Sequence, residues 1–262
     1  MLDVRNLSVS YGDTPVLSRL DLHVAAGEFA SLVGPSGSGK SSLLRAVTRL
    51  HEPSQGEVST EVEAAQIGFL FQDDALLPWR RVRDNVALGL KIRGVAKKEA
   101  FEQAEMWLER LGLAGFGDRY PRQLSGGQRK RVALAQVLAL QPRLLLMDEP
   151  FASLDAIVRH RITDDLLGWV EREQMTVLLV THDLEEAISL SDSIYLLSQG
   201  PGATIRHRYE VPLPRPRDLV KVRSHPAFAP LYERLWHDLE REVDPDARDH
   251  TTDSTEKERV AA

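Results

Sequence analysis

The sequence predicts an α/β fold carried on a mainly parallel, doubly wound sheet. Two observations lead there. Phe29 to Val33 is a short apolar run that stops at Gly34, and Ser41 to Leu50 then carries Leu43, Leu44, Val47 and Leu50 at helical spacing. Strand, glycine loop and helix in that order open an α/β unit. Further on, the pattern alternates: helix 126–139, strand 143–148, helix 156–173, strand 176–180, helix 184–190, strand 193–198. Short apolar strands separated by helices bury a parallel sheet on both faces.

Before the glycine loop, Leu2, Val4, Leu7 and Val9 are spaced for a pleated edge, and Leu20, Leu22 and Val24 alternate as a second strand. Ile67 to Phe71 reads as another short strand. Asp84 to Leu113 reads as mostly helical, flanked by Pro78 and Pro121, with Phe101, Met106, Trp107, Leu108 and Leu111 as packing positions. It is expected as a helical lobe, about 73–140, inserted in the α/β body. After Gly200-Pro201-Gly202 the pattern changes. Pro212, Pro214 and Pro216 interrupt any long element, and a final helix is expected from Pro226 to about Arg241. Residues 1–200 thus read as the main domain and 201–243 as a C-terminal extension. Residues 244–262, polar and nearly free of large apolar groups, read as a disordered tail.

Composition narrows the function classes. The 262 residues are 42% apolar and 27% charged, with a net charge of −6. Eight acids against four bases fall between Glu240 and Ala262, so the body carries no basic excess and no nucleic-acid partner is expected. The chain has no cysteine, which excludes disulfides, thiolate catalysis and cysteine-based zinc sites. No stretch approaches the roughly 18 apolar residues of a membrane span, and Met1 to Arg5 does not read as a signal peptide. The expectation is a soluble, intracellular protein whose membrane part, if any, belongs to another chain.

Three motifs carry chemistry. Gly34-Pro35-Ser36-Gly37-Ser38-Gly39-Lys40-Ser41 fits G-x-x-x-x-G-K-[ST], after a strand and opening a helix. Its glycines let backbone N–H groups face the oxygens of a polyphosphate, and the helix N-terminus adds partial positive charge. Lys40 would reach the β- and γ-phosphates, and the Ser41 hydroxyl, followed by Ser42, would ligate Mg²⁺. Leu144 to Met147 is an apolar strand ending in Asp148-Glu149-Pro150. Asp148 would hold the ion directly or through water, and Glu149 could polarise an attacking water. Leu124-Ser125-Gly126-Gly127-Gln128 opens the helical run from Arg129 to Ala139, and its amides form a second anion site.

Together these motifs resemble the ATP-binding cassette (ABC) ATPases of membrane transporters. The resemblance covers about Leu2 to Gln199. It implies a P-loop fold with a mainly parallel core, an N-terminal antiparallel β subdomain and an inserted α-helical subdomain. It implies ATP and Mg²⁺ as cofactors. Tyr11 looks like the aromatic residue that stacks on adenine. Gln72 resembles the family's glutamine that senses Mg²⁺ and the attacking water. Ser153-Leu154-Asp155 resembles the loop through which two ATPase subunits communicate, although Asp155 also stands where a helix N-cap belongs. His182, in Thr181-His182-Asp183, resembles the switch histidine at the γ-phosphate. Gln136, where many members have arginine, and Phe151-Ala152-Ser153 depart from the usual pattern.

The same resemblance implies a head-to-tail pair of chains, in which the Ser125–Gln128 turn of one copy caps the ATP on the other copy's loop. It further implies a transmembrane permease and, indirectly, a solute-binding protein, with this chain peripheral on the inner face of the cell membrane. Asp73-Asp74-Ala75-Leu76-Leu77-Pro78-Trp79 reads either as lobe core or as the cleft that grips the permease. Leu76 to Trp79 with Val82, Asn85, Val86, Leu88, Gly89 and Leu90, and later Leu213 to Asp218, resemble the nitrate/sulfonate/taurine branch of importers. A thiamine-precursor pyrimidine as the solute, or a soluble ABC ATPase acting on DNA or ribosomes, are the alternatives. A GTPase would be expected to carry Asn-Lys-x-Asp, which is absent.

Overall fold

The computed structural model describes residues 1–152 and 154–244. The last eighteen residues, which hold all but the first of the expected disordered tail, lie outside that range, as does Ser153. Two sheets carry the fold. In the first, β1 (Leu2–Tyr11) pairs antiparallel with β2 (Thr14–Val24) on one side and with β4 (Gln55–Thr60) on the other. Spacing alone does not reveal β4, because Val58 is its sole apolar residue. Its strand conformation comes from the edge of β1. At Gly56 (φ +81°) a Cβ would sit 2.3 Å from the Asn6 carbonyl oxygen, so the close approach of the two strands requires glycine there.

The second sheet has six strands in the order β5-β6-β7-β3-β8-β9: β3 (Phe29–Val33), β5 (Ile67–Leu70), β6 (Leu144–Asp148), β7 (Thr176–Val180), β8 (Ser193–Leu197) and β9 (Ile205–Glu210). The first five run parallel, and β9 pairs antiparallel with β8. Residues 205–210 therefore extend the main sheet, although their own pattern, with only Tyr209 buried, does not announce a strand. The apolar runs divide by the period of two. Leu145, Met147, Val177 and Leu179 face one core, and Leu144, Leu146, Leu178 and Val180 face the other.

One core is shared with the helical lobe and with α6 (Ala156–Glu173). The other is shared with the antiparallel sheet and α1 (Lys40–Val47). A third cluster joins α7 (Leu184–Leu190), β9 and α8 (Phe228–Val243). The lobe comprises α2 (Val82–Val86), α3 (Leu88–Ile92), α4 (Lys97–Arg110) and α5 (Gly126–Leu138). The helical stretch expected over 84–113 is thus three helices, broken at Ala87 and again around Gly94, whose φ is +84°. Trp107, Leu108 and Leu111 are buried and Phe101 packs against them, but Met106 is exposed.

Helix α1 stops earlier than its leucine spacing suggests. The Thr48 hydroxyl donates back to the Leu44 carbonyl at 3.0 Å, and Arg49 takes a left-handed φ of +58°. Leu50 is consequently exposed rather than packed. The final helix begins at Phe228, slightly after the expected Pro226, and reaches Val243.

The importer-like run Leu213 to Asp218 has a structural role. Arg215 and Arg217 both grip the Asp192 carboxylate, which also accepts from the Phe29 amide at 2.9 Å. Arg217 donates further to the carbonyls of Leu190 and Ser191 at 2.8 and 2.7 Å. Burial opposes the Asp192 charge, but the Phe29 amide and the two guanidiniums outweigh it and hold the carboxyl below its ordinary range. This clamp fixes the segment leading to α8 against the turn before β8.

Candidate functional site

Parallel pairing places four chain segments at one edge. β5, β6, β7 and β3 are neighbours in register, with Leu70 beside Met147, Asp148 beside Val180 and Val180 beside Leu32. Their carboxyl ends lead to Gln72, Asp148-Glu149, His182 and Gly34. In open α/β sheets this edge is where ligands bind.

The loop Gly34–Gly39 wraps the N-terminus of α1. At Gly39 (φ +95°) a Cβ would meet Val16 Cγ1 at 2.6 Å and Leu17 Cδ2 at 2.8 Å, so β2 presses the loop into a shape that requires glycine. No side chain caps α1. Ser38 Oγ is buried without a partner among the described residues. Lys40 folds back over the loop and donates to the carbonyls of Gly34 and Pro35 at 2.9 and 2.8 Å. Burial lowers its pKa, while the Glu149 and Asp148 carboxylates act in the opposite direction. Pro35 is buried, Ser36 and Gly37 are exposed, and Ser42 is buried.

The carboxylates meet this loop from β6. Burial raises the Asp148 pKa, opposed by a hydrogen bond with the Ser41 hydroxyl. Asp148 Oδ1 is buried and has no partner among the described residues. An acidic oxygen without a partner, beside a hydroxyl, suits a hard cation that takes its other ligands from phosphate and water. Glu149 has a left-handed φ of +45°, and its amide donates to Val180 O at 2.9 Å. That turn aims the carboxylate toward β7, where Glu149 Oε1 lies 3.3 Å from His182 Nδ1. His182 is exposed.

Helix α7 comes directly after His182 and is capped by Asp183 through the Glu186 amide at 3.1 Å. Burial pushes the Glu186 carboxyl up to about 7, held back in part by a hydrogen bond with Thr181. The neutral acid is favoured in the folded chain. Stability is therefore full below the unfolded pKa of about 4.5 and is lost as pH rises through 7. Glu186→Gln should raise the unfolding free energy at pH 8 by on the order of 3 kcal/mol and leave it unchanged near pH 4, measured by urea unfolding.

Tyr11 ends β1 with its ring half-exposed beside α1, its hydroxyl 3.5 Å from Ser42 Oγ. That hydrogen bond and the nearby Arg45 lower its pKa. The Ser125 turn lies in the lobe. Ser125 Oγ accepts from the Gln128 amide at 3.3 Å, and Gln128 Oε1 accepts from the Ser125 amide at 2.9 Å, a capping box that opens α5. Among the described residues no hydrogen bond joins Ser125, Gly126, Gly127 or Gln128 to the phosphate loop. Asp155 caps α6 by accepting from the Val158 amide at 3.0 Å. Gln72 is exposed, and its carboxamide has no hydrogen-bond partner among the described residues.

Sequence reasoning missed the group that holds Gln72 in place. Lys130, on the inward face of α5, is buried and donates to the carbonyls of Phe71 and Gln72 at 2.9 and 2.8 Å. Its neighbour Arg129 bonds Asp74 Oδ2 at 3.2 Å and the Leu124 carbonyl at 2.9 Å. The signal is a lysine on a helical stripe otherwise made of Ala133, Leu134 and Val137. Lys130→Met keeps the volume and removes the cation. It should lower ATP hydrolysis by about tenfold or more, with ATP affinity nearly unchanged, because the two carbonyls lose their shared donor; steady-state kinetics beside equilibrium ATP titration checks this.

The chain matches the family described as ABC transporter over residues 17–152. It is 41% identical to the nitrate import ATP-binding protein NrtD of Synechocystis sp., covering 82% of each chain. It is 43% identical to the aliphatic sulfonates import ATP-binding protein SsuB 1 of Paracoccus denitrificans, over 90% of this chain and 92% of that one. The taurine import ATP-binding protein TauB of Escherichia coli O157:H7 is 39% identical over 89% of this chain and 94% of its own. Among solved structures, the dimeric bacterial ABC transporter cassette MJ0796 superposes with a TM-score of 0.74 at 31% identity, over 80% of this chain and 99% of that one. A dimeric post-hydrolysis state of the same cassette, bound to ADP and Pi, superposes with the same TM-score. The glycine loop, the carboxylates that meet it and this extent of likeness lead to one assignment: the chain belongs to the ABC transporter family and is an ATP-hydrolysing, Mg²⁺-dependent cassette.

Proposed function

We propose that two copies of the chain enclose two ATP molecules and drive import of a small anion or organosulfonate, of the nitrate, sulfonate or taurine kind, through a separate permease. The observation that carries this reading is the convergence of Lys40, Ser41, Asp148, Glu149 and His182 at one sheet edge, while among the described residues Ser125–Gln128 makes no hydrogen bond to the phosphate loop. A turn suited to an anion but not joined to its own chain's loop is satisfied by a second copy across a two-fold axis. Tyr11 stacks on adenine. Gly34 to Ser42, with Pro35, Ser36, Gly37, Ser38 and Gly39 between, wrap the phosphates, and Lys40 offsets the charge that moves onto the β-phosphate as the γ-phosphate leaves. Ser41, Asp148 and Gln72 would hold Mg²⁺, which would neutralise phosphate charge. Glu149 accepts a proton from the attacking water, and His182, in contact with Glu149, orients near the γ-phosphate. The other copy's Ser125, Gly126, Gly127 and Gln128 close over the nucleotide, and Asp155 links the two sites.

The permease contact lies beside the lobe. Trp79 is 72% exposed, on a loop that Asn85 fixes by accepting from the Leu77 amide at 2.7 Å and donating to the carbonyls of Leu77, Arg80 and Arg81. Leu76 packs inward, so this run is partly lobe core and partly surface. A nearby cleft of about 230 Å³, lined by Phe71, Leu88, Ile92 and Gln136 among others, is apolar enough to grip a helix of a membrane partner. No helix among the described residues is long and apolar enough to cross a membrane. In this reading the chain works at the cytoplasmic face, bound to the permease, with a solute-binding protein acting on the far side. Reconstituted with its permease and receptor in proteoliposomes, the chain should hydrolyse ATP faster when the receptor carries nitrate, taurine or an alkanesulfonate. Indifference to all three would remove the solute assignment and leave the cassette chemistry standing.

A further inference from the structure

We infer that His51 is a positioning residue for nucleotide binding: its imidazole backs the Tyr11 ring so that the opposite face is held ready for adenine. The inference rests on the reading of Tyr11 as the adenine platform. The two rings stack with centroids 4.4 Å apart and planes 28° from parallel. A half-exposed tyrosine at the end of a strand ordinarily rotates freely about its side-chain torsions, whereas this one is held at three points. Its backbone pairs with Thr14 in the hairpin, its hydroxyl meets Ser42, and one ring face lies on His51.

His51 is itself fixed. Its Nε2 lies 3.1 Å from the Ser10 carbonyl oxygen, which can only accept, so Nε2 carries the proton. Its amide donates to Arg45 O at 3.2 Å, in the wrap that ends α1, and Ser54 shortly after donates twice to the Ser8 carbonyl. The early stop of α1 at Val47 and the left-handed Arg49 bring residue 51 back beside β1. The phosphate loop stands at the N-terminal end of α1 and His51 returns from its C-terminal end. In the inferred arrangement the imidazole covers one face of Tyr11 and adenine takes the other. An adenine there completes a three-ring stack, and the cost of ordering the middle ring is already met before the nucleotide arrives.

The test uses the full chain and two probes, MgATP and Mg-tripolyphosphate, which has the phosphates without the base. His51→Ala should weaken MgATP binding about three- to tenfold and leave tripolyphosphate affinity unchanged. His51→Phe, which restores an aromatic face, should return MgATP affinity to within about twofold of the parent. Unchanged or tighter MgATP binding in His51→Ala, or an equal loss for both probes, overturns the inference. Tyr11→Ala separates the two readings. If it weakens MgATP binding while His51→Ala does not, only the role of His51 fails. If Tyr11→Ala has no effect, the platform reading fails and this inference with it.

Discussion

Glu149→Gln should slow ATP hydrolysis by about two to four orders of magnitude, the usual contribution of a positioned general base, while ATP affinity stays close to that of the parent. The amide matches the carboxylate in shape, so the left-handed turn at residue 149 and the approach to His182 survive the change. It lacks the basic oxygen that takes a proton from water. Binding groups are untouched, because Lys40 and the Ser41–Asp148 pair are separate side chains. With the chemical step blocked, the γ-phosphate remains in place, and with it every contact that only the closed pair of chains can make. Size-exclusion chromatography with light scattering in saturating MgATP should therefore show a doubled mass for this variant and a reversible, weaker association for the parent. A variant that stays monomeric, or that keeps more than a tenth of the parent rate, would remove Glu149 from the role of base.

That expectation draws on residues whose placement was largely legible in the chain. A buried parallel strand carries a near-continuous apolar run, so β3, β6, β7 and β8 each stand out, and topology alone presents the residues just past their carboxyl ends to a ligand. Gly34 to Ser41, Asp148 and Glu149 are found that way, whereas His182 comes from the resemblance carried by Thr181-His182-Asp183. Two of the four edge strands were not legible. β4 and β9 have few apolar residues because their backbones are satisfied by a neighbour distant in sequence, and only the fold supplies that neighbour. Leu50 fails because α1 stops at Val47, and Met106 fails because it lies off the stripe of Ala100, Ala104, Trp107 and Leu108 that α4 buries. Lys130 leaves only the faint signal of a cation on an apolar helical stripe, and the contacts of His51 with a ring face and a carbonyl leave no spacing signature. Both hold a functional segment from behind.

Lys40→Ala should abolish measurable ATP binding, with a loss of at least about thirtyfold in affinity. The magnitude comes from the charges that remain. Lys40 is almost fully buried, and its ammonium is the cation that the Asp148 and Glu149 carboxylates act on inside the loop. Without it a polyanion must approach two acids with no fixed positive charge between them, and truncating one partner of a buried charge pair costs about 2–5 kcal/mol. The fold should survive. Nζ donates only to the carbonyls of Gly34 and Pro35, and water entering the vacated space can satisfy both. Binding and folding can then be separated in one experiment. Thermal unfolding without nucleotide should give nearly the same midpoint for variant and parent, while the rise in midpoint on adding MgATP should disappear in the variant, since a ligand stabilises only the state it binds. An undiminished ATP-dependent rise would place the triphosphate elsewhere than on this loop. A collapse of the nucleotide-free midpoint would instead give Lys40 a structural role that its two carbonyl contacts do not suggest.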